Sequence, residues 1–353
     1  MEAHEESVAP QVALFVAVRM VINAAYRMIY PFLRAFAQGM GIPLELTALP
    51  LTGRSFIGVL GPLLAPVADR YGRKTGMLLG LALFSLGIGV VAARPSFPAF
   101  FAALVLANLG NQVFLPAMQA YLGDRVRYQR RGRVLAITEM SWSLSFILLV
   151  PLAGLLIARL GWTAPFWMLL GLGLAGLALI AWRVPADGPS PNAGPQKDAG
   201  PLEDQRQNTF WHTFGKVLTN PSALAALSVS MMITLANELV NLVFGVWIGD
   251  TFHLEIASLG LAATVIGVAE LGGEAATAML VDRIGKKRAV RAGIIFTSLA
   301  ALGLPVLGFN LGGALVGLFL FYLGFEFTIV SYIPLMTEVL PQARATLMAV
   351  NLA

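Results

Sequence analysis

Ten stretches of roughly 20 mostly apolar residues follow one another along this chain, each long enough to cross a hydrocarbon layer about 30 Å thick as a helix. They cover about residues 12–37, 46–68, 75–93, 97–121, 134–158, 162–182, 222–248, 257–281, 289–308 and 312–336. An eleventh begins near Ala345 and is cut at Ala353. Within lipid every backbone N–H and C=O needs an internal partner, so such runs are helices rather than open strands. Charge agrees: 12% of the 353 residues are charged and 57% are apolar, against about 25% and 45–50% in a soluble domain. The chain reads as an all-α integral membrane protein.

The placement of Lys and Arg sets the expected orientation. The opening "MEAHEESVAPQ" lacks a basic leader with a cleavage site, so the N-terminus is expected to stay in the cytoplasm. The ends of the even-numbered runs then face inward and collect Arg70, Arg73, Lys74, Arg125 to Arg133 and Arg283 to Arg291, while Arg34, Arg94 and Arg159 lie on the other side. That asymmetry is the positive-inside pattern of a plasma-membrane protein, here of bacterial inner-membrane type. It also removes nucleic acid as a partner despite the net charge of +5, because the bases are split among short loops; anionic lipid headgroups are the expected neighbours.

Enzyme chemistry has little to stand on. There is no cysteine, and His4, His212 and His253 are scattered, so neither a thiolate metal site nor a catalytic triad is visible, and no cofactor is expected. "GLGLAG", residues 171–176, matches a dinucleotide fingerprint but lies inside an apolar run with no strand before it. Close packing of helices is the better account of those glycines.

The chain divides in two. Residues 184–208, "VPADGPSPNAGPQKDAGPLEDQRQN", carry Pro, Gly and charge without apolar periodicity and read as a flexible cytoplasmic linker. Residues 1–183 form a first bundle of six runs. Residues 209–353 form a second, opened by a short amphipathic segment, 209–219, with Phe210, Trp211, Phe214, Val217 and Leu218 at helical spacing. "ADRYGRK" at 68–74 returns as "VDRIGKK" at 281–287, and Asp124 then Arg131 return as Glu338 then Arg344. Two copies of one unit joined by an inner linker are a recurring plan of secondary transporters.

Those residues carry a family resemblance. The chain resembles the major facilitator superfamily: "ADRYGRK" matches its Asp-Arg-x-Gly-Arg-Arg/Lys signature, "VDRIGKK" the weaker second copy, and "VPLAGLL" at 150–156 part of the antiporter signature in the fifth helix. Ala65 and Val150 stand where those signatures carry Gly. The resemblance implies two pseudo-symmetric six-helix bundles, twelve helices in all, so about ten to eleven are present and the chain reads as C-terminally truncated. It also implies a cytoplasmic gate. Asp69, beside Arg70 and Gly72, would face the start of an eleventh helix near Arg344, with Arg73 on Asp124. Asp282, Arg283, Gly285, Lys286 and Glu338 would mirror them against the fifth run. Gly72 and Gly285 would supply the tight turns.

Polar stripes mark the remaining candidates. Arg19, Asn23, Tyr26, Arg27 and Tyr30 share one face of the first run, and Ser230, Thr234, Asn237, Glu238 and Asn241 repeat that spacing in the seventh. Asn108, Asn111, Gln112 and Gln119 lie in the fourth run, Tyr322 and Glu326 in the tenth. An Arg at the centre of a membrane helix costs at least about 2.5–3.5 kcal/mol, so it faces protein or a wet cavity. The resemblance makes these four runs the walls of a central substrate cavity, with Arg19, Asn23, Tyr26, Arg27, Tyr30, Asn108, Gln112, Asn237, Glu238, Asn241, Tyr322 and Glu326 lining it. Arginines concentrate in the first half, and Glu238, Glu270, Glu274 and Glu326 in the second; facing walls of opposite sign can hold a zwitterion or pair with each other. Glu139 either neutralises Arg19 or carries a proton. Glu238 and Glu326 are the expected proton carriers, and Glu270 and Glu274 serve either that role or packing.

The expected function is proton-coupled export of small organic molecules, drug efflux being the named case, by a monomer in the lipid bilayer. Uptake or exchange of an anionic or zwitterionic metabolite is the alternative within transport. A non-transporting sensor or inactive scaffold is the alternative outside it.

Overall fold

A computed structural model describes residues 8–58, 72–126, 128–185, 214–340, 347–348 and 350–351. Among these, nine helices are long and apolar enough to cross a membrane. They account for nine of the ten runs; the second is described only as far as residue 58.

The first run is broken rather than continuous. Helix α1, Val8–Arg27, gives way to α2, Ile29–Met40, with Phe32 at φ −107°, ψ 17° inside α2. Pro31 explains the break, because it has no N–H for the Arg27 carbonyl and its ring clashes there. Helix α3, Leu44–Gly58, and α4, Arg73–Ala93, follow, then α5, Phe97–Arg125. Helix α5 starts at an Ser96 cap whose hydroxyl accepts from the Ala99 N–H, with Pro98 in the first turn where a missing N–H costs nothing.

The fifth run is a composite rod. Helices α6, Tyr128–Glu139, and α7, Ser141–Leu144, lead into a π-helical turn, Ser145–Leu149, and then α8, Val150–Leu160. The wide turn stands directly before Pro151, where a regular α-helical bond to Ile147 is impossible. Helix α9, Ala164–Arg183, completes the first half. Its Gly173 and Gly176 pack against Phe84 and Val18, which places part of the GLGLAG string at helix contacts.

The second half opens on a helical segment at 214–219. Val217 there is fully buried against Ala223, Val290, Tyr332 and Met336, so the segment is packed onto its own half. Phe210, Trp211 and His212 lie outside the described residues, as does most of the linker. Helices α10, Pro221–Phe252, α11, Ile256–Ile284, α12, Lys286–Leu307, and α13, Leu311–Val339, follow. Asn220 and Asn310 cap α10 and α13 by accepting from Ala223 and Gly313 N–H groups.

Among the described residues, two main seams join the halves. Helix α2 packs on α10, where Gly245 lies against the Tyr30 carbonyl and Pro31. The fifth run packs on α11, with Gly154 beside Ile256, Gly260 beside Pro151, and Gly267 beside Ser143 and Ile147. Gly72 and Gly285 both take positive φ, 94° and 85°, at the turns entering α4 and α12. The repeated Asp-Arg-x-Gly strings therefore end on the same backbone bend in both halves.

Candidate functional site

The break between α1 and α2 delivers the first polar stripe into the middle of the molecule. Arg19, Asn23, Tyr26, Arg27 and Tyr30 are all buried. Arg19 donates twice, at 2.8 Å each, to the two carboxylate oxygens of Glu139, which is half exposed. Asn23 donates to the Ser141 hydroxyl.

Arg27 crosses between the halves. Its Nη2 lies 2.6 and 2.7 Å from the carboxylate oxygens of Glu270 on α11, and its Nη1 donates to the Trp142 carbonyl at 3.2 Å. The guanidinium carbon sits 3.6 Å from the centre of the Phe146 ring and 4.3 Å from that of Trp142. Both side chains of the pair are only 3% exposed. Removing one partner of such a pair leaves an uncompensated buried charge, which typically costs about 3–5 kcal/mol.

Three further carboxylates surround this pair. Glu238 accepts from the Tyr30 hydroxyl at 2.8 Å, and Glu274 accepts from the Ser143 hydroxyl at 3.0 Å. Both bonds run from one half to the other. Glu326, on α13, is buried and makes no hydrogen bond among the described residues. Tyr322 donates to Asn241, and the Asn237 side-chain oxygen is buried without a partner among the described residues. Asn108 is buried and Gln112 half-buried on α5.

The two stripes thus meet directly at Tyr30 and Glu238, whereas Arg27 and Asn23 take partners outside them. Glu270, Trp142, Phe146, Ser141 and Ser143 complete the cluster. The spacing of Glu270 and Glu274 put them on one face; choosing which carboxylate met Arg27 required the bend at Pro31.

At one end of the molecule, Arg73 Nε lies 3.6 Å from Asp124, and Lys286 pairs with Glu338 at 2.5 Å. Each pair stays within its own half. Asp282 and Arg283 are exposed, and neither bonds another described residue. The reason is geometric: α11 touches the fifth run between Ile256 and Glu274, and Asp282 lies two turns beyond. Asp69, Arg70 and Arg344 lie outside the described residues. At the opposite end Arg34 pairs with Asp250 across the halves, beside a cavity of about 510 Å³ whose lining includes Gln38 and His253.

Comparison with known proteins agrees with this architecture. The uncharacterized MFS-type transporter YceJ of Bacillus subtilis is 24% identical over 343 residues, 96% of this chain and 83% of that protein. The multidrug resistance protein fnx1 of Schizosaccharomyces pombe is 30% identical over 138 residues, 39% of this chain and 25% of its own length. Matches to curated relatives can thus span a third of the relative or less. The inward open conformation of the xylose transporter XylE from E. coli has the same fold, with a TM-score of 0.71 at 16% identity over 98% of this chain and 87% of that one. The family model described as Major Facilitator Superfamily matches residues 15–353, and the chain belongs to that superfamily of multi-pass membrane transporters.

Proposed function

We propose that the protein exports small organic molecules in exchange for protons, its two halves rocking about the Arg27–Glu270 cluster. One observation carries this reading: among the described residues, the carboxylates at mid-membrane outnumber the arginines. Arg19 is matched by Glu139 and Arg27 by Glu270, which leaves Glu238, Glu274 and Glu326 without a cation. Carboxyls held away from water and exposed in turn to either side can load and release protons. Among the described residues, capturing an anion at Arg19 or Arg27 would require breaking its carboxylate pair, so these two arginines lend little support to anion uptake.

Orientation follows from the basic residues at the Arg73 and Lys286 end, which favour the cytoplasm. With that end inside, the Arg34–Asp250 pair and the α2–α10 seam close the outside, which fits the inward open state of the similar XylE structure. The latch pairs Arg73–Asp124 and Lys286–Glu338, each within one half here, would meet the other half when the inside closes. The likeness to a multidrug resistance protein supports outward transport, and the partial antiporter signature supports exchange with protons.

The test is flux in proteoliposomes, with and without an imposed pH gradient, over a panel of cationic, neutral and anionic compounds. Gradient-dependent export, abolished in its coupling by Glu238→Gln together with Glu326→Gln, is the expected result. Flux indifferent to the gradient, or coupling that survives both substitutions, overturns proton exchange. No flux of any compound overturns transport and favours a sensor.

A further inference from the structure

The surroundings of Arg27 have the composition of a binding site whose ligand is already inside. One carboxylate, one carbonyl and the faces of two aromatic rings converge on a planar guanidinium, and they come from both halves. Carboxylate plus aromatic faces is the standard chemistry for holding an organic cation away from water. The occupant fits imperfectly: Arg27 Nε is buried without a hydrogen-bond partner among the described residues. It also has somewhere else to go, because Glu274 and Glu326 act electrostatically on the same cluster and neither forms an ion pair among the described residues.

We propose that Arg27 is a tethered stand-in for the exported molecule, and that the Trp142–Phe146–Glu270 box is the binding site for the head of a flat, delocalised organic cation such as an arylguanidinium. This rests on the export reading above and narrows its substrate class. An entering cation stacks between Trp142 and Phe146 and takes Glu270, while the displaced Arg27 moves to the neighbouring carboxylates, so no buried charge is left alone. Glu274 and Glu326 also belong to the second half, so Arg27 stays tied to that half but at a different carboxylate, and the exchange changes where the halves are joined. A bound ligand that shifts the balance between conformations must differ in affinity for them, and this exchange supplies the difference.

Binding of phenylguanidinium to the purified full chain, measured by calorimetry without any gradient, tests the proposal. Arg27→Ala is a poor probe, since any guanidinium would fill the hole. Arg27→Lys keeps a competing charge but loses the fork and the stacking, so the probe should bind severalfold tighter than to the parent. Glu270→Gln should weaken binding at least about tenfold, as expected for a desolvated charge pair. Phe146→Leu keeps every charge and should weaken it about 3- to 30-fold, the value of one cation–π face; it decides the matter if a charge variant fails to fold. No binding by the parent, equal or weaker binding by Arg27→Lys, or indifference to Glu270→Gln and Phe146→Leu overturns the box. The two proposals fail separately: binding of this kind without proton-driven flux would leave the box and remove export, and the reverse result would leave export and remove the box.

Discussion

The seam between the fifth run and α11 gives the most direct handle on conformational change. A Cβ added at Gly267 would lie 2.8 Å from the Ser143 carbonyl oxygen, 2.8 Å from Ile147 Cγ1 and 2.9 Å from Phe146 Cβ. Two of these neighbours are a backbone atom and the root of a side chain, which cannot swing aside. Overpacking of this kind costs about 1–3 kcal/mol. The cost falls only on the conformation in which the seam is closed, so Gly267→Ala should move the balance towards the parted state by about 5- to 150-fold, at about 1.4 kcal/mol per decade. The chain has no cysteine, so label pairs are simple to install. Leu160 and Phe309 are 70% and 80% exposed, one in each half at the Arg34 end. Spin labels at Leu160→Cys and Phe309→Cys should report a growing long-distance population in Gly267→Ala. Gly171→Ala, where nothing lies within 4 Å of the added carbon, is the control and should match the parent. A Gly267→Ala distance distribution that superimposes on the parent's, in a protein that remains folded, refutes the reasoning.

Other expectations concern the ion pairs. Glu139→Gln leaves the buried Arg19 with a neutral partner; because Glu139 is half exposed, the loss should be about 1–3 kcal/mol rather than the full value for a buried pair. Thermal unfolding of Glu139→Gln, Arg19→Met and the double variant should give a coupling of at least about 1 kcal/mol in a double-mutant cycle, and strict additivity would contradict the pairing. Asp250→Asn breaks the exposed Arg34 pair, worth at most about 1 kcal/mol, so the same labels should show less than about a fivefold shift, fading in high salt. Lys286→Ala should leave the unfolding temperature nearly unchanged, because both members of its pair are well exposed; a drop of many degrees would mean that this pair holds the second half together.

Helix identity and number were readable because lipid leaves the backbone few choices, and a 20-residue apolar run settles the matter without help from neighbours. Direction changes were harder. The first run looks continuous from Val12 to Ala37, yet it breaks at Met28, and only the Pro31 N–H deficit, acting on the Arg27 carbonyl, accounts for that. The fifth run likewise hides a π-helical turn ahead of Pro151. Periodicity placed Arg19, Arg27 and Tyr30 on one face with no knowledge of the fold. It could not assign their partners, since Glu139, Glu270 and Glu238 lie 120, 243 and 208 residues away and reach them only through the packing of three separate helices. Charge counting came closest: a buried arginine demands a counter-charge, and five mid-membrane glutamates were on offer.

The internal repeat explains why the offer was so lopsided. Arg27 and Glu238 are 211 residues apart, as are Tyr30 and Asn241, and Arg19 and Ser230, so the two stripes match position for position. Copies related by a near two-fold axis look at one another across the centre of the molecule. Had both kept arginine, closing the halves would bring two guanidiniums into one poorly hydrated space; had both kept glutamate, two carboxylates. Opposite signs on equivalent positions remove that repulsion, and the structure uses the difference twice: Arg27 crosses to Glu270, and Glu238 is met by Tyr30. The latch strings at Gly72 and Gly285 kept the same order of acid, base and glycine, and in this conformation each pairs within its own half. The matching charge pattern thus survives at the latch strings, whose pairs lie within a half here, and the chemistry differs where the two stripes meet.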